Sequence, residues 1–292
     1  MFEHLVIGLK GEVLTSDERQ WLSEKPPAGV ILFARNVDSP GQVKALLASV
    51  RECAGDDIAV AIDEEGGRVN RLPWPPFNNR TQADESGRLY GSDPEAAVSH
   101  VYDDAYEVGL ALKELGFTHN CAPVLDLLHP EGHAIIGNRA YGSTVHTVAS
   151  LGVACIHGLQ DAGIEAIGKH FPGHGRANAD SHVAVPVVDA PIDVLLQEAE
   201  TFVLSFSQNL NHVMTAHVIY SAVDDKVATL SDHWLRELLR EQMGFTGTIW
   251  SDDLCMRGVG DNVHDAAESA LRAGCDLLLV CEPEGVEQLY RG

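Results

Sequence analysis

The chain is 292 residues long, 45% hydrophobic and of mean hydropathy −0.04, enough for a large buried core in one α/β barrel or two ordinary domains. With 43 acidic residues against 20 basic ones, its net charge of −23 repels a phosphate backbone and excludes nucleic acid as an expected partner. No apolar run approaches the roughly 20 residues that span a bilayer, and Met1-Phe2-Glu3-His4 lacks the basic and apolar regions of a secretory signal, so a cytoplasmic protein without a membrane partner is expected.

The acidity reads most simply as a solvated surface that favours solubility. Scarce lysine fits a salt-adapted source without establishing one. The cysteines at positions 53, 121, 155, 255, 275 and 281 form no C-x-x-C pair and sit mostly in apolar runs such as Val153-Ala154-Cys155-Ile156. They are read as reduced packing residues, because a tetrahedral zinc site needs close ligand pairs that this spacing does not supply.

In chain order, β-rich runs are expected at 5–8, 29–33, 58–62, 118–124, 166–168, 213–216, 248–251 and 277–280. Before the fourth, Val98, Val101, Ala105, Val108, Leu112 and Leu115 recur at helical spacing and stop at Gly116, a suitable C′ residue. Before the seventh, a helix starts at the capping candidate Ser231, carries Trp234, Leu235, Leu238 and Leu239 on one face, and ends at Gly244. No linker, low-complexity segment or charge block divides the chain, so 1–292 is expected to be a single domain.

Eight strands alternating with helices fit a single (β/α)8 barrel of the α/β class better than an open doubly wound sheet, and no G-x-G-x-x-G follows a strand. Barrel active sites lie at the C-terminal ends of the strands. Here Asp63, Asp126, Lys169 with His170, His217, and Asp252 with Asp253 follow five strands in turn, which points to a functional cleft at that end.

The densest chemistry is Lys169-His170-Phe171-Pro172-Gly173-His174-Gly175, with Asp180-Ser181-His182 shortly after. Pro172 and the two glycines stop any helix or central strand, so the segment reads as a catalytic loop at a surface cleft. His170 and His174 have the i, i+4 spacing of a zinc-binding helix, but Pro172-Gly173 breaks such a helix. No metal and no cofactor is expected. His217 either lines the pocket or packs.

The segments 29–36, 62–71, 122–126, 137–142, 169–182, 215–218 and 251–254, in this order, resemble glycoside hydrolase family 3. They resemble in particular its single-domain β-N-acetylglucosaminidases of peptidoglycan recycling, and the likeness spans nearly the whole chain. Ala140 after Arg139, where serine is common, and the 77–91 segment depart from the pattern and bear on fine specificity.

The resemblance implies that Asp252, opening Ser251-Asp252-Asp253-Leu254, is the nucleophile that forms and releases a glycosyl ester in a retaining double displacement, with Asp253 supporting it. A helix-capping role is the plain alternative for Asp252. The resemblance also implies a histidine in place of the second carboxylic acid, His182, held by Asp180 two residues before it. At i and i+2 of an extended segment both side chains emerge on one side, and an imidazole of pKa about 6.5 can give and then take a proton near neutrality. Asp63, Arg71, Arg139, Lys169 and His170 are implied as sugar ligands, since charge-assisted hydrogen bonds orient hydroxyl-rich rings.

Arg68, Arg71, Arg139 and Lys169 together make a locally positive cleft an expectation, suited to lactyl or peptide carboxylates. Pairing of Arg68 with Glu64 or Glu65 is the equal alternative. The implied substrate is an N-acetylglucosaminyl cell-wall fragment. A family 3 phosphorylase, a β-glucosidase and a non-catalytic sugar-binding barrel remain as alternatives.

Overall fold

The computed structural model describes residues 1–179, 185–260 and 262–291. Eight parallel strands form one sheet: β1 (Leu5–Gly8), β2 (Gly29–Leu32), β3 (Ala59–Ile62), β4 (His119–Asn120), β5 (Glu165–Phe171), β7 (His212–Thr215), β9 (Thr248–Trp250) and β10 (Leu278–Val280). The spatial order is β10-β1-β2-β3-β4-β5-β7-β9, and a parallel bridge from Trp250 to Leu277 joins the two outer strands. The Leu277 carbonyl accepts the Ser251 amide at 2.8 Å. The sheet therefore closes into the expected α/β barrel, and each of the eight forecast runs overlaps one of its strands.

Helices α1 (Ser16–Glu24), α2 (Pro40–Ala54), α3 (Ala83–Ser92), α4 (Pro94–Leu115), α5 (Val145–Asp161), α6 (Ile192–Phe206), α7 (Val263–Ala273) and α8 (Pro283–Arg291) connect or follow the strands. In α4, Asp93 caps the first turn through the Ala96 amide at 3.1 Å, and Gly116 closes it in the left-handed conformation at φ 105°. The segment before β9 keeps the expected buried face of Trp234, Leu235, Leu238 and Leu239, and Ser231 Oγ accepts the Trp234 amide. It winds as a π-helix over His233–Gln242. A short parallel pair, β6 (Val187–Val188) with β8 (Ile219–Tyr220), lies apart from the barrel.

Two apolar layers follow from strand alternation. Val6, Ile31, Ala61, Cys121, Ile167, Met214, Trp250 and Leu279 pack inside the barrel, while residues such as Leu5, Ile7, Val30, Val60 and Ile249 face the helices. No helix among the described residues is long and apolar enough to cross a membrane.

Two strands differ from expectation where the site is built. β4 is only two residues long, because Pro123 has no amide hydrogen to give the ladder. Pairing resumes at the Val124–Lys169 bridge, where the Leu125 amide donates to the Lys169 carbonyl at 2.6 Å. β5 runs through Lys169 and His170 to Phe171, with a register shift against β7 between Lys169 and Phe171. Lys169 and His170 are thus buried strand residues rather than members of an exposed loop.

Candidate active site

A cavity of about 310 Å³ opens at the C-terminal end of the barrel, at the small end of the roughly 300–1,000 Å³ usual for ligand pockets. Asp63, Arg71, Arg139, Lys169, His170 and Asp252 all line it. Six of the eight residues expected to carry the chemistry therefore converge on one space. Asp180 and His182 lie outside the described residues.

Lys169 cannot be buried without partners. Its Nζ donates to Asp63 Oδ1 and meets Glu65 Oε1, both at 2.6 Å. Burial opposes the charge, but Asp63 and Glu65 outweigh it and raise the ammonium pKa. Glu65 also takes a fork from Arg139, through Nε at 2.8 Å and Nη2 at 2.7 Å. Its burial favours the neutral acid, yet Lys169 and Arg139 hold the carboxyl well below the ordinary range. Arg71 Nη2 lies 3.5 Å from Asp63 Oδ2. Two carboxylates from one turn after β3 thus tie together cations from three distant segments.

His170 is fixed by Asp126, whose Oδ2 lies 2.7 Å from ring Nδ1. The other oxygen of Asp126 accepts the amides of His170 at 3.1 Å and His174 at 2.7 Å. Burial resists ionisation of Asp126, and His170 and His174 overcome it, lowering its pKa. Glu65 and Asp126 carried no assigned role in the sequence reading. The strand-end rule marks Asp126 directly, and Glu65 shares a turn with Asp63.

Asp252 follows β9, the position the barrel rule favours. Its Oδ1 accepts the Asp253 amide at 2.8 Å. Burial disfavours its charge, but His217, His170, that amide and Lys169 together hold the carboxyl below its ordinary range. Burial lowers the pKa of His217 itself, opposed by the nearby Asp252. Asp253 Oδ1 accepts the amides of Cys255 at 3.0 Å and Cys281 at 2.9 Å, stitching the end of β9 to the end of β10.

His217 packs rather than lining the cavity. It is fully buried, with Nδ1 2.7 Å from Thr229 Oγ1 and Nε2 2.9 Å from the Asp253 carbonyl. Since a carbonyl only accepts, Nε2 carries the proton and Nδ1 accepts from Thr229.

Arg68 joins neither Glu64 nor Glu65. It donates to Asn138 Oδ1 at 3.0 Å and to the carbonyls of Ala134 at 2.8 Å and Ile136 at 3.1 Å, bracing the loop that brings Arg139 to the cavity. The cleft is also not the positive one expected: Asp63, Glu65, Asp252, Asp253 and Glu282 face Arg68, Arg71, Arg139 and Lys169 around the same cavity.

The loops after β4 and β5 interlock. Glu198 of α6 accepts Arg176 Nε at 2.7 Å and lies 3.2 Å from His129 Nε2. A Cβ at Gly175 would overlap the Leu127 carbonyl, so only glycine permits this approach.

Comparison with known proteins agrees with this architecture. Residues 7–291 match the family model described as the glycosyl hydrolase family 3 N terminal domain. A beta-hexosaminidase of Xylella fastidiosa is 38% identical over 289 residues, covering 96% of this chain and 84% of that protein. One from Bordetella pertussis is 38% identical over 288 residues, covering 98% and 82%. The crystal structure of NagZ from Neisseria gonorrhoeae in complex with N-trifluoroacetyl-D-glucosamine superposes with a TM-score of 0.91 at 34% identity, covering 99% of this chain and 84% of that one. The chain belongs to glycosyl hydrolase family 3.

Proposed function

We propose that the chain is a retaining exo-β-N-acetylglucosaminidase that removes terminal N-acetylglucosamine from muropeptide fragments of the cell wall. The observation that carries the reading is the gathering of Asp252, Asp63, Arg71, Lys169 and His170 around one small cavity. A pocket of that size suits a single sugar ring, hence cleavage at a chain end. The similarity to beta-hexosaminidases and to NagZ supports N-acetylglucosamine as that ring.

Each group has a task that its surroundings favour. Asp252, held ionised, attacks the anomeric carbon as the glycosidic C–O bond breaks, and His182, protonated and oriented by Asp180, gives its proton to the departing oxygen. Neutral His182 then takes a proton from water. That water attacks the same carbon, the glycosyl ester opens, and Asp252 leaves as carboxylate. Lys169 has three ammonium protons and spends two contacts on Asp63 and Glu65, so it keeps donor capacity for a sugar hydroxyl. Asp63 and Arg71 offer an acceptor and a donor to neighbouring hydroxyls. The muropeptide is recycled in the cytoplasm in this reading.

The test is turnover of aryl β-N-acetylglucosaminide by the wild type and by Asp252→Asn. Wild-type activity that falls by about 10⁴-fold or more in the variant is expected for loss of a nucleophile. Undiminished activity in the variant would exclude the assignment. Assays with and without phosphate separate hydrolysis from phosphorolysis, since only the latter yields the sugar 1-phosphate.

A further inference from the structure

Between the two sugar-facing carboxylates of Asp63 and Glu65 sits a third that faces away from the cavity. The Glu64 side chain is completely buried, and its backbone is clasped by Asn120, which accepts from the Glu64 amide and donates to its carbonyl, both at 2.9 Å. Arg80 Nη1 donates to the same carbonyl at 2.9 Å. Glu64 Oε2 accepts the amides of Arg71 at 2.9 Å and Leu72 at 3.3 Å. Oε1 has no hydrogen-bond partner among the described residues, with Arg80 Nη1 3.9 Å away.

Arg80 does not neutralise Glu64 fully, because its Nε and Nη2 are committed to Asp104 at 3.0 and 2.9 Å. The other titratable groups of this region are Arg71 itself, and Glu65, His100, Tyr141 and Cys155, which line the same recess as Arg80 and Asp104. Burial raises the Glu64 pKa to about 7, against smaller opposing pulls from the Arg71 amide, Arg80, the Leu72 amide and the Arg71 guanidinium. A fully buried carboxyl is therefore attached at one end to the backbone of a residue whose other end faces the sugar pocket.

We propose that Glu64 is a positioning residue for sugar binding: by holding the amides of Arg71 and Leu72 it sets the Arg71 guanidinium beside Asp63, and its protonation tunes affinity without touching the reacting atoms. As pH falls through neutrality the carboxylate gains a proton, its bonds to the two amides lose their charge assistance, and Arg71 is held less firmly. The proposal rests on the sugar-binding role given above to Asp63 and Arg71.

The test compares wild type, Glu64→Gln, Arg71→Ala and the double variant on aryl β-N-acetylglucosaminide between pH 6 and 8, with thermal melts to confirm folding. Glu64→Gln is close in shape and keeps an oxygen for the two amides. The expected wild-type KM rises by about fivefold on the acid side, the worth of one charge-assisted bond over a neutral one. In Glu64→Gln, KM stays near the acid-side value at every pH while kcat is unchanged, and the substitution adds nothing once Arg71 is Ala. The idea is overturned if Glu64→Gln lowers kcat and raises KM together, if its KM keeps the wild-type pH dependence, or if its KM effect persists in Arg71→Ala. A wild type inactive on every aryl glycoside would instead refute the enzymatic reading. Calorimetric titration of N-acetylglucosamine into wild type and Glu64→Gln then decides the Glu64 role alone, with pH-independent wild-type affinity counting against it.

Discussion

Asp126 grips His170 at two points, Oδ2 to the ring at 2.7 Å and Oδ1 to the backbone amide at 3.1 Å, so one buried carboxylate sets both the place and the tilt of a pocket imidazole. Asp126→Asn keeps the shape but loses the ionic hold, and a misplacement of about 1 Å in a binding group costs about a hundredfold in rate. A drop of that order in kcat/KM is expected. Because the folded-state pKa is depressed, Asp126 stabilises the fold above its unfolded value of about 3.9 and ceases to do so as pH falls through the folded one. Urea melts should show wild type more stable than Asp126→Asn at neutral pH, with the gap closing only below about pH 4.

Glu65 is the shared anchor of Lys169 and Arg139, and replacing it by Gln leaves the largely buried Arg139 without its carboxylate and Lys169 with Asp63 alone. Removing one partner of a buried pair costs about 3–5 kcal/mol, which for a chain of this size lowers Tm by roughly 5 °C or more. The depressed pKa of Glu65 places this contribution intact at neutral and mildly acid pH. Scanning calorimetry at pH 5 and pH 7 should give similar losses, and a Glu65→Gln protein as stable as wild type would show that the knot is not structural.

The charge of −23 predicts a third behaviour. Raising sodium chloride from 0.1 to 1 M shortens the screening length from about 10 to about 3 Å, which weakens repulsion among surface carboxylates. Tm should rise by a few degrees. KM for an uncharged aryl glycoside should change less than twofold, because the ion pairs around Lys169 are buried and poorly screened. A Tm that falls with salt would mean that surface attractions outweigh the repulsion.

The barrel was readable because most strands are short apolar runs and five of their C-terminal ends lead into polar residues. The same logic placed Asp63, Asp126, Lys169 and Asp252 at one end of the molecule. It failed where distant partners decide the outcome. Lys169 and His170 look like loop residues beside Pro172, and only Asp63, Glu65 and Asp126 make their burial in a strand tolerable. The π winding of His233–Gln242 keeps its apolar residues inward, so no periodicity argument separates it from an α-helix. Counting arginines suggested a positive cleft, since spacing cannot show that Glu65 takes the forks of Arg139 or that Arg68 turns to loop carbonyls.

The joint between Trp250 and Leu277, with Asp253 clasping the amide of Cys281, has a consequence for how competence is acquired. Asp252 sits on that seam, so its final orientation waits on docking of Leu278–Val280. On the role proposed for Asp252, a nascent polypeptide still lacking that segment carries an open ring and an unset nucleophile at once, and hydrolytic power is expected to arrive with architectural closure rather than to grow by degrees during synthesis.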